Sequence, residues 1–131
     1  MLQYLRALKI ITILCIFTVM CIFMVHQSNA ATLATGKLTS MKSTSKSTSS
    51  KTIQLRWRKD TSISGYQIWI SKSSSFNKDT RSKRYGKNIT GVTVEGFPSG
   101  KKYYGKMRKY ILKNNKYTYS KWSNVKSVVV K

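Results

Sequence analysis

Most of the chain is written in alternation. In residues 51–58, Ile53, Leu55 and Trp57 fall on one side and Gln54, Arg56 and Arg58 on the other, the pattern of a half-buried strand. Residues 65–71 repeat it, with Tyr66, Ile68 and Ile70 on one face and Trp69 sent to the opposite, solvated one. Residues 91–96 set Val92 and Val94 between two glycines and predict a short strand. The longest pattern follows the corner Phe97-Pro98-Ser99-Gly100. Tyr103 and Met107 take its odd positions, and Tyr104, Lys106, Arg108 and Tyr110 its even ones. A polar tip at 113–116 holds Asn114 and Asn115, which suit positive backbone angles, and the β-branched run 127–131 predicts a closing strand beside the long one.

The first thirty residues follow a different rule. Arg6 and Lys9 precede an apolar stretch at 10–25, and Ser28 and Ala30 then stand where a signal peptidase needs small residues. A membrane-crossing helix needs about 20 apolar residues, so the run predicts a secretory signal helix cleaved after Ala30. The alternative is an uncleaved anchor through residues 10–25, the one membrane contact expected. Domains are accordingly a signal at 1–30, a short tail at 31–35 and one folded unit at 36–131. Cys15 and Cys21 both lie in the apolar run, which leaves the exported chain without a disulfide.

Charge narrows the function. Of the 25 Lys and Arg, cleavage removes Arg6 and Lys9; the remaining 23 face only Asp60, Asp79 and Glu95, a net charge of +20. The only histidine, His26, leaves with the signal. General acid/base catalysis and zinc binding need convergent carboxylates, imidazoles or thiolates. A non-enzyme is expected, with no catalytic, metal or cofactor site.

The corner adds a finer expectation. A Tyr six residues after an apolar anchor, across a Pro/Gly turn, suits a tyrosine corner in which the Tyr103 phenol bonds back to upstream backbone. With this feature the chain resembles strand F of a fibronectin type III domain, of the lysine-rich kind on bacterial exported proteins. The resemblance runs over about residues 36–131. Trp57 matches the inward Trp that ends strand B. Gly65-Tyr66 matches the opening of strand C, followed by inward Ile68 and Ile70. Phe76 matches a loop anchor before a strand C′ near 82–87, and Trp122-Ser123 a step before strand G. Strand A would be a short edge around Leu38 and Met41, with residues 43–50 as its turn.

The resemblance implies an all-β, immunoglobulin-like two-sheet sandwich of seven strands behind the signal helix. Trp57, Tyr66, Ile68, Phe97 and Tyr103 would form its core and corner. Strand F departs from the family at Gly105, expected to leave packing space unfilled, and at Lys109, where a small residue is usual. With sheets A-B-E and C-C′-F-G, the outer face of the second sheet would present Trp69, Tyr104, Lys106, Arg108 and Tyr110. Cations between rings there suit a polyanion or glycan, with bases or sugars stacking on the aromatics. The same residues also suit an ordinary sheet surface, because cross-strand Tyr–Lys/Arg pairs stabilise sheets.

The function expected is a secreted, bacterial cell-surface binding or adhesion module. Electrostatic contact with anionic polymers or polysaccharides would hold it at the cell envelope, and nucleic acid would bind only through non-specific charge. The alternative is a structural or docking subunit that recognises an extracellular protein through a sheet edge or loops.

Overall fold

The computed structural model describes residues 32–45 and 51–131. The signal helix, its cleavage point at Ala30, both cysteines and residues 46–50 of the first turn lie outside the described residues. Among the described residues every regular element is a strand: β1 (Leu38–Ser45), β2 (Lys51–Trp57), β3 (Gly65–Ser71), β4 (Arg81–Gly86), β5 (Gly91–Glu95), β6 (Lys102–Lys113), β7 (Lys116–Tyr119) and β8 (Lys126–Val129). They form a three-stranded sheet in the order β1-β2-β5 and a five-stranded sheet in the order β4-β3-β6-β7, with β8 also on β6. Every pairing is antiparallel.

The alternation decides what lies between the sheets. Ile53, Leu55 and Trp57 of β2, Tyr66, Ile68 and Ile70 of β3, and Tyr103 and Met107 of β6 enter one core with Leu38, Met41, Ile63, Phe97 and Val130. Trp57 packs at 5.4 Å from Tyr66 and 6.2 Å from Tyr85, centroid to centroid. The packing is a β-sandwich.

Both open sides of the sandwich are tied. On one, Asn124 receives the Leu38 N–H at 3.2 Å and donates to the Leu38 carbonyl at 3.4 Å. On the other, Arg81 of β4 donates to the carbonyls of Glu95 and Gly96 at 2.9 and 2.8 Å and lies over the Phe97 ring.

Four details differ from the sequence expectation. The last strand is two strands, eight in all, because residues 120–125 leave the ladder between β7 and β8. Serines replace the missing rungs. Ser120 Oγ accepts from Lys109 N–H and Ser123 Oγ from Met107 N–H, both at 3.0 Å, while the two serine N–H groups donate to the carbonyls of the same partners. Every β6 group in this gap is thereby satisfied without a continuous partner strand.

Second, β1 runs to Ser45, so Ser43, Thr44 and Ser45 belong to a strand rather than a turn. The Thr44 and Thr52 hydroxyls meet at 2.6 Å across the pair, a contact that a threonine-rich strand can make and a composition rule does not see. Third, Gly105 leaves no hole. A Cβ there would meet Met41 Sδ at 2.9 Å and Leu55 Cδ2 at 3.1 Å, so the long Met41 side chain occupies the room that the glycine vacates.

Fourth, Tyr103 is buried edge-on against Phe97 at 4.8 Å, yet its phenol makes no hydrogen bond among the described residues. Tyr66 does the backbone anchoring instead: its oxygen accepts the Asp60 N–H at 2.7 Å. Asp60 sits in the loop before β3, and Lys109, the other departure, donates to it at 2.6 Å. Together with Ser62 this bond holds the Asp60 carboxyl down at about 2.

Candidate functional site

The even positions of β6 emerge on the outer face of the five-stranded sheet. Register sets their neighbours: Trp69 lies opposite Lys106, Gln67 opposite Arg108, Gly65 opposite Tyr110 and Ser71 opposite Tyr104. On the far side of β3, Gln67 also pairs with Arg84 of β4. Arg84, Gln67 and Arg108 therefore form one row across three strands, with the two arginines two strand spacings, about 10 Å, apart at the backbone.

Aromatic residues from three other segments close over this row. Phe76 comes from the serine-rich loop, held at a backbone φ of 60°, Tyr117 and Tyr119 come from β7, and Trp122 from the link that interrupts the ladder. The cations lie between them. Lys106 Nζ is 4.0 Å from the Phe76 centroid, 4.5 Å from that of Trp122 and 4.9 Å from that of Trp69. The Arg108 guanidinium carbon is 4.5 Å from Trp122 and 3.6 Å from Tyr119, and that of Arg84 is 4.3 Å from Tyr117. Rings and cations alternate from Phe76 through Lys106, Trp122 and Arg108 to Tyr119; Tyr117 then stacks directly on Tyr119 at 5.9 Å, and Arg84 lies over Tyr117.

The stack fixes its members differently. Burial, reinforced by the neighbouring Arg108 charge, pushes the Lys106 ammonium down from its ordinary value. Burial also lowers Arg108, with Arg84 adding like-charge repulsion. Arg108 Nε donates to Gln67 Oε1 at 2.7 Å, Gln67 Nε2 donates to Ser82 Oγ at 3.0 Å, and Arg84 Nε donates to the Tyr119 phenol oxygen at 3.0 Å. No carboxylate joins them. Asp60 is bound to Lys109, Asp79 to Lys72 at 2.9 Å, and Glu95 belongs to β5 of the other sheet.

The five residues anticipated for this face all lie on it, in unequal roles. Lys106 and Arg108 are members of the stack. Trp69 is half-buried beneath Phe76 and Trp122, at 6.5 and 4.7 Å, and its indole N–H is sealed without an acceptor among the described residues. It is the floor of the stack and presents no open ring face. Tyr110 is buried edge-on to Tyr117 at 5.3 Å, lying over Gly65, where a Cβ would meet its phenol. Tyr104 stands apart, with Lys102 Nζ 5.4 Å from its ring.

Sequence reasoning missed Arg84, Tyr117, Tyr119 and Trp122. The available signal was Tyr119-Ser120-Lys121-Trp122-Ser123, in which two aromatic-serine steps recur at a spacing of three. Each serine reaches the β6 backbone and each preceding ring joins the stack.

Two larger cavities lie away from this face. One, of about 430 Å³, is beside Lys72, Asp79 and Tyr103. The other, of about 380 Å³, is beside Gln54, Arg56 and Thr93. Both are open and neither includes a residue of the stack. No family model matches the chain, and no curated protein matches it.

Proposed function

We propose that this chain is a non-catalytic, exported binding module of the fibronectin type III kind, retained at a bacterial cell envelope by anionic polymers. The two-sheet sandwich, with β1-β2-β5 facing β4-β3-β6-β7/β8, supports the family reading, as do Trp57 and Tyr66 in its core. Export is supported by the Arg6/Lys9, apolar-run and Ser28/Ala30 pattern.

One observation carries the binding reading: the excess positive charge gathers, in part, into a face without acids. Lys106, Arg108 and Arg84 are held there by rings rather than by carboxylates, so their charge is uncancelled while their positions are fixed. A polyanion that meets such a face gains Coulomb attraction without first breaking ion pairs.

The sheet-edge alternative has less to offer. An apolar cleft of about 200 Å³ does open between β4 and β5, lined by Ile68, Ile70, Tyr85 and Val94. Arg81 and Lys83 stand at the same cleft, and Arg81 bridges the two sheets across it. Inward cations on an edge strand are a device against pairing.

The test is retention of the purified full chain, kept soluble in a mild non-ionic detergent, on immobilised teichoic acid, an acidic glycan and a neutral glycan across a salt series. Binding to the anionic supports is expected to fall linearly in log–log form with salt. A flat salt response, or equal retention on the neutral glycan, overturns the reading.

A further inference from the structure

We infer that Arg84 and Arg108 form a discrete oxyanion clamp around Tyr119 that takes the phosphodiester backbone of a linear polymer, with Ser82 as a third donor. The inference rests on the polyanion reading above and narrows it to one place and one ligand chemistry.

A guanidinium carries five N–H donors in a rigid fork. In both arginines only Nε is committed, in Arg108 to Gln67 and in Arg84 to Tyr119. Their terminal nitrogens donate to no acceptor among the described residues. Those nitrogens form the edge of the guanidinium that pairs bidentately with an oxyanion. Flanking rings restrain the planes, Arg108 between Trp122 and Tyr119 and Arg84 over Tyr117. Much of the rotamer entropy that a free surface arginine loses on binding is therefore already lost in the fold.

The row supplies more than two charges. Gln67 lies between the arginines, and its amide donates to Ser82 Oγ, which orients that hydroxyl and leaves its own proton available. Two forks and a hydroxyl make a donor-only site, and no carboxylate faces it. A phosphodiester fits it, since each unit offers two unesterified oxygens and keeps one negative charge throughout the neutral range.

The rings point away from a base- or sugar-stacking ligand. Trp122 carries Lys106 and Arg108, and Trp69 lies under Trp122 and Lys106. Tyr119 has Arg108 on its face and Tyr117 stacked at 5.9 Å. These faces are occupied within the fold, so recognition falls to the edges of the guanidinium groups and hence to backbone oxygens.

The decisive variant keeps the charge and removes the forks: Arg84→Lys with Arg108→Lys. Full-length wild type and R84K/R108K are titrated at fixed salt with a glycerol-phosphate oligomer, a single-stranded oligonucleotide of equal charge, polyglutamate, and glycerophosphoglycerol, the soluble headgroup of an anionic lipid. The clamp predicts that the variant loses about tenfold or more in affinity for the two phosphodiester polymers; an equal loss for polyglutamate, whose carboxylates also pair with guanidinium forks, would overturn the assignment to phosphodiesters. The monomeric headgroup should bind weakly to both proteins, and tight binding of it would identify a lipid site and overturn the polymer assignment.

Equal affinities of wild type and variant for every ligand overturn the clamp while leaving salt-dependent polyanion binding intact. Failure of the wild type to bind any polyanion at low salt overturns both readings. Arg108 is half-buried, so a second readout avoids substitution: arginine side-chain N–H resonances of wild-type protein during titration with the glycerol-phosphate oligomer. Selective shifts of the Arg84 and Arg108 signals support the clamp, and uniform small shifts across all arginines overturn it.

Discussion

The two faces of β6 share one backbone and obey different physics. Inward, Tyr103, Gly105 and Met107 meet apolar partners, and Met107 is wholly buried. Outward, Lys106 and Arg108 meet rings, hold their charge and stay half-exposed. The inner face is held by area removed from water and close packing. The outer face is held by cation–aromatic attraction, worth about 0.5–2 kcal/mol per pair, partly cancelled by desolvation of the cation. Burial of both faces marks β6 as the spine of the sandwich, but only the inner face accounts for much of its stability. The outer face has freedom to serve a ligand.

Adjacent substitutions test this division most strongly. Met107→Ala removes a fully buried side chain and is expected to cost about 2–5 kcal/mol, read from the urea midpoint at constant m. Arg108→Gln, one residue away, should cost about 1–2 kcal/mol, because it loses two ring contacts but also the burial of a charge. Comparable losses at the two positions would mean that the stack is structural in the same sense as the core.

The sequence displayed the inner face far better than the outer one. Alternation is a local property, so Ile53, Leu55, Trp57, Tyr66, Ile68 and Ile70 all lie on the side their spacing indicated. Asn114 and Asn115 adopt the positive φ of 50° and 58° that their side chains tolerate. The outer stack depends on register between strands distant in sequence, and register is not local. Lys106 and Arg108 could be placed on a face from β6 alone. Their partners Arg84, Tyr119 and Trp122 depend on how β4 pairs with β3 and on where the last strand breaks. Gly105 misled for the same reason: the side chain that fills its space, Met41, belongs to the opposite sheet.

The end of the inner face provides a pH-dependent version of the comparison. Lys109 continues the inward series but pairs with Asp60, whose carboxyl is depressed from 3.8 to about 2, first by the Lys109 bond and then by Ser62. A depressed acid stabilises the fold above its unfolded value, and that contribution is lost as pH falls through the folded one. The pair should thus contribute about 1–2 kcal/mol near neutrality, discounted for its partial exposure, and fade between about pH 4 and pH 2. In urea titrations, wild type should exceed Asp60→Asn above that window and converge with it below. A constant gap across the window would mean that Lys109 does not set the Asp60 ionisation.

The smallest expected effect discriminates most finely, because two tyrosines compete for one role. The spacing across the Pro98/Gly100 corner pointed to Tyr103 as the residue whose phenol pins upstream backbone. The fold gives that bond to Tyr66, whose oxygen takes the Asp60 N–H at 2.7 Å and so also positions the carboxylate that Lys109 reaches. Deleting a buried hydroxyl that satisfies a backbone donor costs about 1–1.5 kcal/mol, whereas deleting one that bonds nothing costs close to zero. Tyr66→Phe should therefore lower stability by about 1 kcal/mol and shift the Asp60 titration upward. Tyr103→Phe, which keeps the ring against Phe97, should leave the thermal midpoint nearly unchanged. If Tyr103→Phe proves the more costly, the corner is pinned as its spacing implied. If the predicted order holds, the corner is held by the Phe97–Tyr103 ring pair, by Arg81 and by backbone bonds to Lys51 and Val130 rather than by a phenol, and the anchoring tyrosine lies on β3, at the opposite end of the β6 register.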